Sequence, residues 1–273
     1  MRPTVPEMDE ILGHTFPVLD KGFIRVIDYM GDDAAIVQAA RVSYGDGTKS
    51  VSEDRGLIRY LMRHRHTSPF EMCEIKLHVR MPIFIARQWI RHRTANVNEY
   101  SGRYSVMTGD RFEPPALRLQ SAENKQGSSD EAISDQGAVK MVGALAQATY
   151  DHLLAADVSR EQARMVLPLN TYTEMYWKID LHNLLHFLGL RADSHAQAEI
   201  RAYADQIVRI LEKWVPLTME AFRDYRLNAV TLSAQQAEAV KRLFRGQTPD
   251  MTKMTKREMA ELAKALDINH MTV

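Results

Sequence analysis

The densest set of chemically capable side chains lies in residues 88–105, QWIRHRTANVNEYSGRYS. Arg87 and Arg91 stand one helical turn apart, and Arg91, His92 and Arg93 are consecutive near the expected end of a helix. Asn96, Asn98, Glu99, Ser101 and Arg103 follow in a stretch too poor in apolar residues to be a core element. Guanidinium groups bind phosphate oxygens in pairs, and each charge-assisted bond contributes on the order of 1.5–3 kcal/mol. Glu99 and Ser101 have the chemistry to read hydroxyls or a base. The same residue types also suit a solvated basic loop, and composition alone leaves both readings open. A third reading has Tyr100 and Tyr104 stacking on nucleic-acid bases. The charge balance opposes it: 35 Lys and Arg against 35 Asp and Glu give a net charge of zero, whereas phosphate-backbone affinity needs a cationic excess.

Other groups are weaker signals. His182 and His186 share a helix face at i, i+4, a spacing that can hold zinc. A zincin needs a glutamate directly after the first histidine, and Asn183 stands there. His66 sits in a loop before a proline. Arg164 and Arg191, taken alone, read as members of structural ion pairs. Cys73 is the single cysteine, which excludes an internal disulfide framework and a cysteine-rich zinc site and fits a reducing compartment. No flanking residue marks Cys73 as an activated thiol, so it reads as packed. The chain holds no G-x-G-x-x-G fingerprint and no Walker loop. No apolar stretch reaches the roughly 18–20 residues of a membrane span, and the N-terminus has no apolar signal core. The expectation is a cytoplasmic protein with no membrane partner.

The elements that would carry these groups follow from periodicity. DKGFIRVIDYMGDD reads as a strand ending in a Gly-Asp turn, and DDAAIVQAARVSYG as a helix stopping near Gly45. Ser52 with Arg55 is a poor capping box, yet Leu57, Ile58, Leu61 and Met62 have helical spacing. Residues 74–80 alternate, with Ile75, Leu77 and Val79 on one face, as a half-buried strand does. Pro82 sits where a first-turn helix proline belongs, followed by the helix PIFIARQWIRH. Residues 121–137 read as a polar loop, and helices are expected at 138–156, 159–167, 180–190 and, as one long element, 195–225. Beyond about 229, Ser233 with Gln236 and Thr255 with Glu258 are capping boxes, a helical hairpin appended to a domain of residues 1–228.

The run RHRTANVNEYSGRYS resembles the signature of flavin-dependent thymidylate synthases. The blocks RVSYG (41–45), HTSPFE (66–71), PIFIARQW (82–89), ARMVLPLNTYT (163–173) and LRADSHAQAEIR (190–201) look like family blocks in family order. The family often has a histidine after HTSPFE. Met72 stands there in this chain, and is expected to mark a packing difference. The resemblance implies an α+β fold, a small antiparallel or mixed sheet packed with long helices and without a Rossmann domain. It implies methylation of dUMP to dTMP, with FAD as hydride carrier and NADPH and 5,10-methylenetetrahydrofolate as co-substrates. The choice between NADPH and NADH stays open. No cysteine nucleophile is needed, in keeping with Cys73.

By the same resemblance, FAD is contacted by Ser43, His66, Ser68, Arg91, His92, Arg93, Glu99, Asp180, Leu181, His182 and His186. The substrate dUMP is held by Gln88, Trp89, Ile90, Arg91, Glu99, Tyr100, Ser101, Gly102, Arg103, Arg164 and Arg191. In this scheme Gly102 admits backbone amides to the phosphate, Arg103 and Arg164 neutralise it, and Arg191 is the catalytic cation against the uracil ring. The family's FAD sites are shared between subunits of a homotetramer. Flavin contacts drawn from residues 66–68, 91–99 and 180–186 fit such sharing.

Overall fold

A computed structural model describes residues 3–42, 51–122, 127–193 and 195–267. The chain divides into two compact units, Met1–Leu227 and Asn228–Val273.

In chain order, the first unit runs α1 (Pro6–Asp9), β1 (Thr15–Val18), β2 (Gly22–Met30), α2 (Asp33–Arg41), α3 (Val51–Arg63), α4 (Ser68–Glu71), β3 (Glu74–Pro82) and α5 (Ile83–Trp89). It continues with β4 (Asn96–Glu99), β5 (Leu117–Gln120), β6 (Ser128–Ile133), α6 (Gly137–Ala155), α7 (Arg160–Ala163) and β7 (Tyr172–Asp180). Helices α8 (Leu181–Arg191), α9 (Ala198–Trp214) and α10 (Pro216–Phe222) complete it. The main sheet has the order β1-β2-β3-β7-β4, with every neighbouring pair antiparallel. This is the α+β arrangement expected.

The sheet is two-faced, as alternation requires. Ile75, Leu77, Val79 and Met81 of β3 and Met175, Trp177 and Ile179 of β7 are buried. Helix α9 covers that face of the unit's core with Ile200, Tyr203, Ala204, Ile207 and Leu211. The opposite face is polar: His78 stacks on Tyr176 at 4.8 Å, and Lys178 Nζ reaches Glu74 at 2.8 Å.

Several expectations need correction. Residues 195–225 are not one helix. Pro216 cannot continue α9 because it lacks an N–H and its ring clashes with the preceding turn. The chain breaks at Val215 and restarts as α10, whose first-turn amides of Leu217 and Thr218 donate to the Asp33 carboxylate at 2.8 and 3.0 Å. Pro82 ends β3 and precedes the first turn of α5 instead of joining it. The 121–137 stretch is not all loop, since residues 128–133 form β6, paired with β5. The helix expected at 159–167 is α7 followed by a tight 3₁₀ turn at Arg164–Val166. Met72 is 52% exposed at the end of α4, so it marks no difference in core packing. The helix stop near Gly45 lies outside the described residues.

The second unit contains α11 (Ala234–Phe244) and α12 (Lys256–Ala265), each opened by the expected capping box, around a small core of Ala239, Met254 and Leu262. Gly246 closes α11 with φ +67°, the left-handed value that glycine adopts without strain.

Candidate functional site

Because β3 and β7 are antiparallel, with Glu74 opposite Asp180 and Pro82 opposite Tyr172, α5 and α8 leave the sheet at opposite ends, and their C-terminal ends meet where Arg191 reaches His92 and the Gln88 carbonyl. Strand β3 runs into α5, whose end carries Gln88 and the Arg91-His92-Arg93 turn. Strand β7 ends at Asp180, the N-cap of α8, which carries His182, His186 and Arg191. Leu181, Leu184, Leu185 and Leu188 bury one side of α8. The Asp180 carboxylate caps Asn183 N at 2.9 Å and accepts from Asn183 Nδ2 at 2.7 Å. Asn183 Oδ1 then takes the Thr94 hydroxyl at 2.8 Å, which ties the turn after α5 to the start of α8. Neither Thr94 nor Asn183 was singled out from the sequence for this role.

Three groups of residues emerge. The first surrounds Arg191. Its Nε donates to His92 Nε2 at 3.1 Å, and its Nη2 to the Gln88 carbonyl at 3.4 Å. No ion pair involves it among the described residues. His92 lies against Phe187 at 4.9 Å and His186 at 5.9 Å between ring centres. Burial, then the Arg191 charge, then His186 pull the His92 imidazole down to about 4 from the usual 6.5. The ring is therefore neutral near pH 7. Because Nε2 accepts from Arg191, the proton sits on Nδ1. Burial also lowers Arg191 from its usual value, yet a guanidinium stays charged, and among the described residues the rest of its N–H fork has no acceptor.

The second group is the Ser101–Arg103 turn. Ser101 Oγ accepts from Arg103 N at 3.3 Å, and Arg103 Nε faces Glu161 at 3.6 Å across exposed surface. Arg164 is exposed, its Nε 3.4 Å from the Glu161 carbonyl, and makes no ion pair among the described residues. A Cβ at Gly102 would lie 3.0 Å from Met107 Sδ and 3.3 Å from Arg164 Cδ. The close approach this glycine permits is thus to Met107 and Arg164, and it brings the turn onto the Arg164 stem. Glu99, on edge strand β4, accepts the Thr173 hydroxyl at 2.9 Å, and Tyr100 donates to the Val106 carbonyl at 2.8 Å.

The third group lines a cleft of about 430 Å³ that includes Arg65, His66, Thr67, His182, His186 and Arg226. Its size falls in the roughly 300–1,000 Å³ range of small-ligand pockets. Imidazole and guanidinium donors against Phe70, Leu185 and Phe222 suit a ligand that is both aromatic and anionic. These features fit a flavin nucleotide. The segments 66–67, 182–186 and, through the His92–His186 contact, residue 92 meet within one chain, so distance along the sequence does not by itself require shared sites.

Other expected contacts separate from these groups. Trp89 is wholly buried edge-on to Trp177 at 5.0 Å, and Leu181 is wholly buried, so neither offers a side chain to a ligand. Ile90 is half-buried beside them. Ser68 is exposed at the start of α4 and Asp180 is committed to its cap; neither lines the cleft. Arg91 and Arg93 are exposed and unpaired among the described residues. Ser43 lies outside the described residues. Among those described, no three His, Cys, Asp or Glu side chains gather to hold a metal, and no helix is long and apolar enough to cross a membrane. Cys73 is wholly buried with its thiol pushed up to about 12 by burial and by Asp32 and Asp33. It cannot present a thiolate to a substrate near neutral pH.

Comparison with known proteins bears on what this arrangement does. A family model described as thymidylate synthase complementing protein matches residues 25–217. The chain is 54% identical to a flavin-dependent thymidylate synthase of Gluconobacter oxydans, over 97% of this chain and 92% of the relative. It is 53% identical to one of Rickettsia conorii, over 96% and 97% respectively. A solved UMP/dUMP methylase, PolB of Streptomyces cacaoi bound with 5-bromo-dUMP, matches at TM-score 0.70 and 35% identity, covering 78% of this chain and 99% of that one. Its form with 5-bromo-UMP gives 0.68 and 33%. A family match spanning most of the chain, with half of all residues shared along nearly its full length, makes this chain a member of the flavin-dependent thymidylate synthase family.

Proposed function

We propose that the protein converts dUMP to dTMP, with 5,10-methylenetetrahydrofolate as carbon donor and NADPH or NADH as the reductant of bound FAD. The observation that carries this reading is Arg191: a part-buried guanidinium anchored on His92 and on the Gln88 carbonyl, with donors to spare. Such a preorganised cation stabilises negative charge developing on a pyrimidine ring, and needs no reorganisation to do so. Arg103, Arg164 and the Ser101 hydroxyl bind the nucleotide phosphate, and Gln88, Glu99 and the backbone about Tyr100 orient the sugar and base. Arg65, His66, His182, His186 and Arg226 hold the flavin in the cleft, with Arg91, His92 and Arg93 at its side. Bound reduced FAD supplies the hydride. Because the Cys73 thiol is buried and protonated, the ring is activated by charge and position and not by a covalent protein adduct.

The unit of residues 1–228 is the catalytic domain and residues 229–273 an appended hairpin. The protein works as a homotetramer in the cytoplasm. The deciding experiment is dTMP formation by the flavin-loaded protein with dUMP, 5,10-methylenetetrahydrofolate and a reduced nicotinamide, NADPH in one series and NADH in another. A yellow protein that releases dTMP only when all three are present supports the reading. A colourless protein, or one that yields no dTMP under these conditions, refutes it.

A further inference from the structure

Behind Gln88 lies a line of side chains outside every group described so far. Arg118 of β5 donates to Glu199 Oε1 at 2.5 Å and, through Nε, to the Ser128 hydroxyl of β6 at 2.9 Å. Glu199 is 8% exposed. Its second oxygen, Oε2, accepts from Gln197 Nε2 at 2.8 Å. Gln197 Oε1 in turn accepts from Gln88 Nε2. The Gln88 backbone carbonyl is the one that Arg191 grips.

The direction of this relay is forced. A carboxamide presents an oxygen on one side and an NH₂ on the other, and the two are interchangeable by a flip unless a partner distinguishes them. An ionised carboxylate only accepts. Glu199 therefore draws the Gln197 amide nitrogen toward itself, which turns the Gln197 oxygen toward Gln88. Gln88 must then spend an N–H on that oxygen, and its own Oε1 faces away from the relay. Among the described residues, no group donates to Gln88 Oε1.

We propose that Glu199 is a positioning residue that sets, through Gln197, the orientation of the Gln88 carboxamide, so that Gln88 Oε1 meets an N–H or O–H donor of the nucleotide substrate. This rests on the reading of Gln88 as a dUMP contact. Glutamine at position 199 would keep the size and still accept from Arg118, but it would offer an NH₂ to Gln197. The relay could then run in reverse and turn the Gln88 NH₂ toward the ligand.

The test is the dUMP dissociation constant of flavin-loaded protein by titration calorimetry, alongside steady-state kinetics. Glu199→Gln is expected to raise the dissociation constant and the KM for dUMP about three- to tenfold, the loss of one neutral hydrogen bond. Turnover at saturation, flavin content and thermal midpoint should stay close to wild type. Arg118→Gln removes the ion pair but leaves the carboxylate an acceptor, and is expected to shift dUMP affinity by less than about twofold. If Glu199→Gln folds poorly, Gln197→Met cuts the same relay and carries the same expectation. Unchanged dUMP affinity in a folded Glu199→Gln or Gln197→Met protein overturns the proposal. So does an Arg118→Gln effect as large as that of Glu199→Gln, since the ion pair would then be responsible. Wild-type protein that binds no dUMP would instead sink the underlying reading of Gln88.

Discussion

Arg191→Ala separates catalysis from cofactor binding. Alanine removes the guanidinium and leaves His92 Nε2 and the Gln88 carbonyl without their donor at 3.1 and 3.4 Å. Losing one preorganised donor at a developing charge typically costs about 2.7–4 kcal/mol, or roughly 10²–10³ in turnover. Arg191 does not line the cleft assigned to flavin, so FAD content should hold. Arg191→Lys keeps the charge but has no fork to satisfy both anchors while facing a ring, and should fall between alanine and wild type. Dissolved protein offers a second readout. The Arg191 charge ranks second among the causes that hold His92 down to about 4. Removing it should let the imidazole titrate at higher pH by NMR, still short of its usual value because burial remains. The assays are dTMP formation, flavin absorbance and the His92 ring signals. Near-wild-type turnover in Arg191→Ala, or an unmoved His92 titration, would refute the reasoning.

Cys73→Ser should retain dTMP synthesis, because its thiol is buried and protonated; a folded, flavin-bound but inactive Cys73→Ser protein would show that the sulfur takes part in chemistry. Gly31→Ala should lower stability to denaturant by about 1–3 kcal/mol, since the backbone there has φ +82° and the new Cβ would come within 2.6 Å of Cys73 Sγ. His92 is depressed from 6.5 to about 4 in the folded protein, so the unfolded chain binds its proton first as pH falls. Stability relative to a His92→Gln variant should therefore drop with falling pH across that window and level off below it, and thermal midpoints that track each other from pH 7 to about pH 4 would contradict this. Native mass measurement should find four copies; a monomer that holds FAD stoichiometrically would count against shared sites.

Where apolar side chains alternate or recur at helical spacing, the elements were legible. Strand β3, helix α8 with its four buried leucines, and both capping boxes of the second unit stand as read. Strand β7 has the same two-residue period as β3, but Tyr176 blurs it. By type Tyr176 is apolar, yet it sits on the polar face, stacked on His78. Strand β4, NVNE, has one apolar residue and every position exposed. It is held by pairing with β7, a long-range partnership that leaves no local pattern. Of the candidate site, the residue types in the RHR and SGRYS runs were readable. Their grouping was not, because it depends on β3 and β7 pairing along their whole length.

The relay behind Gln88 shows a different limit. A glutamate in the first turn of a helix has an ordinary meaning, a negative charge at the positive end of the dipole, and Glu199 sits in that place on α9. What changes its meaning is burial together with Arg118, which comes from β5, a strand paired with β6 inside the 121–137 stretch that reads as a polar loop. In a chain of amides, every hydrogen bond can run either way with almost equal energy. Direction enters only where one end meets a group that can do nothing but accept or nothing but donate. Here the accepting end is Glu199, the direction passes through Gln197, and the last amide in line is the one beside Arg191. A buried carboxylate can thus choose which atom of a distant side chain a ligand meets without touching the ligand itself.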